Sequence, residues 1–220
     1  VATPVGQAFV TRATSAYGEA AVAGRAIAGR LTPVAFGVIF ALSGAIGPII
    51  GQNFGAGRMG RVRRAFFDGL IFTGLVIAFV SALLFILRAP IAAAFHAEGL
   101  TRDLVYLFCG PLALLWFFNG MIFVANAVCN NLGRPFWSTL VNWGRHTLGT
   151  IPLALWLGGI WGAQGVLIGQ ALGGVVFGLA AAWLALLAIR SPAIAPPRGR
   201  PEPVPAPGAE PVASPGERRA

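Results

Sequence analysis

Apolar runs with at most one charged residue each, closed by a short cluster of arginine, proline, glycine or amide residues, recur along the chain. Leu31–Gln52, Phe66–Leu87 and Leu104–Asn131 are three of them; Phe136–Leu157 and Ala163–Ile189 follow, separated by Gly158-Gly159-Ile160-Trp161-Gly162. Each is long enough for the ~20 residues that a helix needs to cross ~30 Å of hydrocarbon. Thr147–Ile189 carries no charge over roughly twice that length, which suits two spans joined by the glycine-rich turn. Val1–Ser15, with Pro4, Gln7 and Arg12, is too short to cross unaided and reads as the remaining half of a first helix.

Between the runs, Tyr17–Arg30 is alanine- and glycine-rich with Glu19, Arg25 and Arg30, and is expected as an interfacial connection, with a helix running into the next span as the open alternative. Arg88–Asp103 is expected as a polar hairpin. The fifth run is interrupted by Arg145-His146 and Pro152. After Arg190 the character changes to Pro, Ala, Glu and Arg, so residues 191–220 read as a disordered tail that buries too little apolar surface to offset its ordering entropy. The pattern predicts an all-α, polytopic membrane bundle over residues 1–190, about six helices with the first truncated. The chain opens inside a helical pattern without methionine or a charged leader, so it is expected to be part of something longer.

Composition names the solvent. At 56% hydrophobic, 10% charged and mean hydropathy +0.75, the chain expects lipid. Its net charge of +9 invites a nucleic-acid reading, but the arginines cluster at the ends of apolar runs and in the tail, where they set topology instead. Loop 53–65, Arg134, Arg190, Arg198 and Arg200 supply eight on one side against Arg25, Arg30, Arg88 and Arg102 on the other. This bias puts the arginine loop and the C-terminus in the cytoplasm, with the inner (plasma) membrane as the expected location. Cys109 and Cys129 lie about 30 Å apart on one predicted helix, and His96 and His146 fall elsewhere, so neither a disulfide between the two nor a metal site is expected. No paired carboxylates, Ser-His-Asp pattern, phosphate loop or dinucleotide fingerprint marks an enzyme.

The leading functional candidate is Asn119, in Trp116-Phe117-Phe118-Asn119-Gly120-Met121 near the middle of an uncharged span. An unpaired amide at that depth is costly, so it faces either a partner helix or a wet cavity. Asn126, two helical turns on, shares nearly the same face; with Phe118, Met121 and Phe123 it forms a candidate mixed lining for amphipathic cations, against the reading that the aromatics face lipid. Arg145 is open to two readings, a snorkelling arginine or a gating ion pair with Asp68. His146 is a weaker proton-relay candidate. Arg58, Arg61, Arg63 and Arg64 read as topology and headgroup contacts or as a lock on an inward gate, and Gln52 and Asn53 as helix-end hydrogen-bonding groups or gate residues.

Two stretches carry a resemblance. Gln52-Asn53-Phe54-Gly55-Ala56-Gly57, preceded by Pro48 and followed by the arginine cluster, resembles the glycine-rich segment of multidrug and toxic compound extrusion (MATE) transporters, of the multidrug/oligosaccharidyl-lipid/polysaccharide flippase superfamily. Asn126-Ala127-Val128-Cys129-Asn130-Asn131-Leu132-Gly133-Arg134-Pro135 is similar to the family's second signature. The resemblance covers about residues 1–190 and implies the C-terminal half of a twelve-helix, two-bundle transporter. It would export amphipathic, often cationic compounds in exchange for protons or sodium ions. It also implies that Asn119 stands about where several sodium-coupled relatives carry an aspartate. An amide cannot exchange a proton, so the coupling-ion site is expected in the N-terminal bundle, with no bound cofactor. A lipid-linked oligosaccharide flippase and a non-transporting membrane subunit or truncated product remain as alternatives.

Overall fold

The computed structural model describes residues 2–192, all of them in helices and the short turns between. The expected disordered tail lies almost wholly outside the described residues. In order come α1 (Ala2–Ser15), α2 (Glu19–Gly55), α3 (Met59–Ala94), α4 (Gly99–Leu107), α5 (Ala113–Asn131), α6 (Pro135–Gly144) and α7 (Thr150–Arg190). A five-residue π turn, Phe108–Leu112, joins α4 to α5, and a second, Arg145–Gly149, joins α6 to α7.

Glu19–Gly55, Met59–Ala94, Gly99–Asn131 and Pro135–Arg190 are long and apolar enough to cross a membrane. The last, at 56 residues, would reach about 84 Å if straight, far beyond one bilayer. It is bent inside α7, where Trp161 leaves helical geometry and Gly162 takes φ +60°. With α1 this gives the six helical segments expected.

The structure decides two boundaries. Residues 19–30 take the helical alternative and run into the next span: Ala20, Ala21, Ala23, Ala26 and Ala28 are the best helix formers, and α2 passes through them unbroken. The polar hairpin is also shorter, because α3 continues past Arg88 and Pro90 to Ala94 and leaves only residues 95–98 as a turn.

The two stretches quoted for the resemblance build the same turn. Arg58 N–H donates to the Asn53 carbonyl and Arg134 N–H to the Cys129 carbonyl, both at 2.8 Å. Gly57 (φ +71°) and Gly133 (φ +79°) each supply the left-handed residue just before the donor. This six-to-one closure ends a helix sharply and returns the next one antiparallel. Both turns lie at one end of the bundle, where the Arg134 guanidinium also donates to the Ser191 carbonyl at 2.7 Å, just after α7.

α5 is the hub, packed on α2, α3, α6 and, most extensively, α7. Around it the core forms two main layers: Ile50, Phe66, Val128 and Ala185 near the arginine turns, and Ile27, Phe36, Ile77 and Val105 toward the other end. Small residues bring the helices close. A Cβ on Gly173 would stand 2.6 Å from the Gly149 carbonyl carbon, and one on Gly178 2.7 Å from the Phe118 carbonyl oxygen. Outside, Ile71, Leu75 and Phe79 are each more than 60% exposed at i, i+4 and i+8 of α3, the face a lipid-solvated helix presents.

Candidate functional site

Both π turns border one cavity of about 400 Å³ between α1, α2, α5 and α7. The first arises at Gly110-Pro111. Proline brings no N–H and clashes with the preceding turn, and Gly110 absorbs the distortion at φ −98°, ψ −115°. In the second, Pro152 leaves a carbonyl of the preceding turn without its donor, while the Thr150 hydroxyl donates at 2.9 Å to the Arg145 carbonyl. Local widening turns Phe108 and Leu112 from one break, and Arg145 from the other, toward the space.

The lining joins an apolar wall to a polar floor. Phe108, Leu115 and Trp116 make the wall, and the Trp116 ring is stacked on Phe36 at 4.4 Å and 8°. Gln7, Thr11, Arg25, Gln170, Asn119 and Arg145 bring the polar groups. Arg25 is held from three sides: Nε donates to Thr11 Oγ1 and one terminal nitrogen to Gln170 Oε1, both at 3.2 Å, and the other terminal nitrogen donates to Gln7 Oε1. These acceptors are neutral, so they fix the guanidinium without cancelling its charge.

Asn119 is 7% exposed, lines the cavity, and its Oδ1 has no hydrogen-bond partner. The other expected lining residues stand elsewhere. Met121 is buried inside the bundle, Phe118 lies against Gly178 with its ring edge-on to Phe117, and Phe123 meets Phe40 edge-on at 5.5 Å. Asn126 shares the nominal face of Asn119 but lies about 10 Å further along α5, beside the packed layer of Ile122, Ala125 and Val128 rather than at the cavity.

The Arg145–Asp68 pair does not form. Asp68 is exposed on α3 and sits 3.6 Å from Arg64, one turn before it. Arg145 lines the cavity and has no carboxylate within salt-bridge distance among the described residues. Nor does Arg145 snorkel to a surface by itself, since the π turn places it at the cavity. Arg58, Arg61, Arg63 and Arg64 are exposed at the arginine turn, with Arg63 over the Phe67 ring at 5.8 Å. Gln52 is exposed, and Asn53 donates to the Ile49 carbonyl at 2.8 Å within its own helix. His146 is buried against Gly6 of α1. Among the described residues no cluster of His, Cys, Asp and Glu has the makings of a metal site.

Residues 1–156 match the MatE family. The chain belongs to that family. In fold it is similar to the Vibrio cholerae MATE transporter VcmN, with TM-score 0.79 and 23% identity, over 86% of this chain and 43% of that one. It is likewise similar to the MATE transporter ClbM in complex with Rb+, with TM-score 0.78 and 21% identity, over 87% and 46%. In sequence it is 35% identical over 188 residues to an uncharacterized 21 kDa protein in the iaaL 5′ region of Pseudomonas savastanoi, covering 80% of this chain and 58% of that protein. It is 28% identical over 189 residues to the FAD transporter of Shewanella oneidensis, covering 83% and 40%. This MATE chain therefore spans about half the length of the curated relatives it matches.

Within the MATE bundle, Arg25 is the cavity residue that charge counting misses, because counting assigned it to a membrane surface. Its signal was Gln7 and Thr11, four residues apart on one helix face, and Gln170 in an uncharged span. Isolated polar groups in apolar helices seek one another.

Proposed function

We propose that this chain is one bundle of a secondary active transporter that exports amphipathic small molecules by alternating access, paired with a second bundle. The cavity carries this reading. It combines an aromatic wall with a few polar groups, the lining expected of an organic-ligand site, and it lies beside two breaks in helix geometry, where a bundle can flex. The family supplies the transporter context. A relative bearing the name FAD transporter supports a large organic substrate.

Antiport with protons or sodium ions is the proposed energy source. No carboxylate lines this cavity, which supports an ion site in the other bundle. The proposed location is the inner (plasma) membrane, with a cytoplasmic C-terminus. Removing Arg25 from the surface count leaves the bias at eight arginines to three, so the cavity strengthens that orientation.

The lining speaks against the cationic part of the expected substrate class, since it holds two arginines and no acid. The same charge favours a second reading, a lipid-linked oligosaccharide flippase, since cavity arginines can pair with the pyrophosphate of such a lipid. A non-transporting subunit is the remaining alternative.

The test is flux into inside-out vesicles, energised in turn by a proton and a sodium gradient. One set of vesicles holds the chain alone, and the other holds it joined to any in-frame sequence preceding it. Gradient-driven uptake of a fluorescent amphiphile in the joined form is expected. Its absence under both gradients would remove the transporter reading.

A further inference from the structure

The charge of the cavity is unusual for a membrane interior. Two arginines line it, and the four described acids, Glu19, Asp68, Glu98 and Asp103, are absent from the lining. Inside a membrane protein, an arginine at depth is expensive and ordinarily finds a carboxylate or marks a ligand path. Arg25 finds only neutral acceptors, which occupy three of its five N–H groups and leave two for a guest. Arg145, ten residues past the start of α6, has no acidic partner among the described residues. Beside them the buried Asn119 Oδ1 lacks a donor, a gap that an N–H or O–H on a guest would fill. The remaining wall is aromatic, with Trp116 and Phe108.

We propose that this cavity binds an amphipathic organic anion whose phosphate or carboxylate is held by Arg25 and Arg145 and whose aromatic body lies along Trp116 and Phe108. This deepens the transporter reading by naming a substrate class opposite in charge to the one the resemblance implies. The three neutral acceptors are the central feature. They hold a planar, bidentate donor ready for an oxyanion and spend none of its charge.

Equilibrium dialysis of the purified full chain in a neutral detergent tests the site without requiring transport. The probes are flavin mononucleotide, riboflavin, which is the same ring without phosphate, and proflavine, an aromatic cation. Flavin mononucleotide is expected to bind at least about tenfold more tightly than riboflavin, the ratio of one charge-assisted hydrogen bond, and proflavine least tightly. Arg25→Gln and Arg145→Gln each collapse that ratio toward unity while leaving riboflavin binding in place, which also certifies that the variants are folded. Arg25→Lys restores part of it, and Arg61→Gln, at the exposed turn, leaves it unchanged.

Equal binding of the two flavins, preference for proflavine, no flavin binding at all, or an equal loss in Arg61→Gln overturns the proposal. Farnesyl pyrophosphate is the competing arm. If it displaces flavin mononucleotide at lower concentrations than unlabelled flavin mononucleotide does, the site belongs to a prenyl lipid and the aromatic half of the proposal fails. An intact flavin ratio without vesicle flux would sink the transporter reading and leave the anion site standing.

Discussion

Arg58, Arg61, Arg63 and Arg64 project into solvent at one end of the bundle, whereas Arg25 and Arg145 line a cavity inside it. The side chains are the same, but their circumstances differ in what surrounds the charge. At the exposed turn, water solvates each guanidinium and the one acid nearby, Asp68, adds a pair worth roughly 0–1 kcal/mol. At the cavity, two side-chain amides and a hydroxyl accept from the half-buried Arg25, so its position is fixed and its charge remains available. An arginine's role in this fold therefore follows from whether its neighbours are water, acid or neutral acceptor, and only the first of these is visible by counting.

The sharpest way to break the contrast is to give the cavity an acid. Asn119→Asp places a carboxylate beside the two guanidiniums, and flavin mononucleotide binding by dialysis is expected to weaken by about a hundredfold, the loss of one or two charge-assisted bonds. Next is removal of the anchored arginine. Arg25→Ala abolishes three hydrogen bonds linking α2 to α1 and α7, and should cost about 1–3 kcal/mol in denaturant titration. The low end applies because Gln7 and Thr11 are exposed and water can satisfy them.

Replacing Arg58, Arg61, Arg63 and Arg64 together by Gln should leave flavin binding alone but remove half of the eight-arginine bias. A mixed orientation is then expected in cysteine-accessibility labelling of the C-terminus. Asp68→Asn should do least, changing stability by under about 0.5 kcal/mol and binding not at all, in the same titration and dialysis.

Much of the architecture was readable from apolar run length, because lipid forces every span to satisfy its backbone internally. Run length could not show that α2 starts at Glu19, since an alanine-rich stretch with three charges reads equally well as a surface segment or a helix end. Asn119 was found because one amide in an uncharged span must be explained. Phe118, Met121, Phe123 and Asn126 do not line this cavity, for a different reason. Apart from its asparagines α5 is apolar on every side, so its aromatic and aliphatic positions carry no face, and Gly178, Gly174 and Gly120 on and against it decide how it packs. Arg145 drew notice for its depth, but its orientation depends on a π turn, and Pro152 marked only that the helix is disturbed there, not which way the side chain would turn.

The approach of Gly173 to Gly149 has a genetic consequence. A glycine codon becomes an alanine codon by one base change, and in most helices that change is benign, improving helix propensity by up to about 1 kcal/mol. Here the new methyl would meet backbone 2.6 Å away, which no side-chain rotation can relieve. In a random library, the conservative replacement at Gly173 should therefore be purged as strictly as a radical one elsewhere, and the helix contact will read as intolerance to alanine.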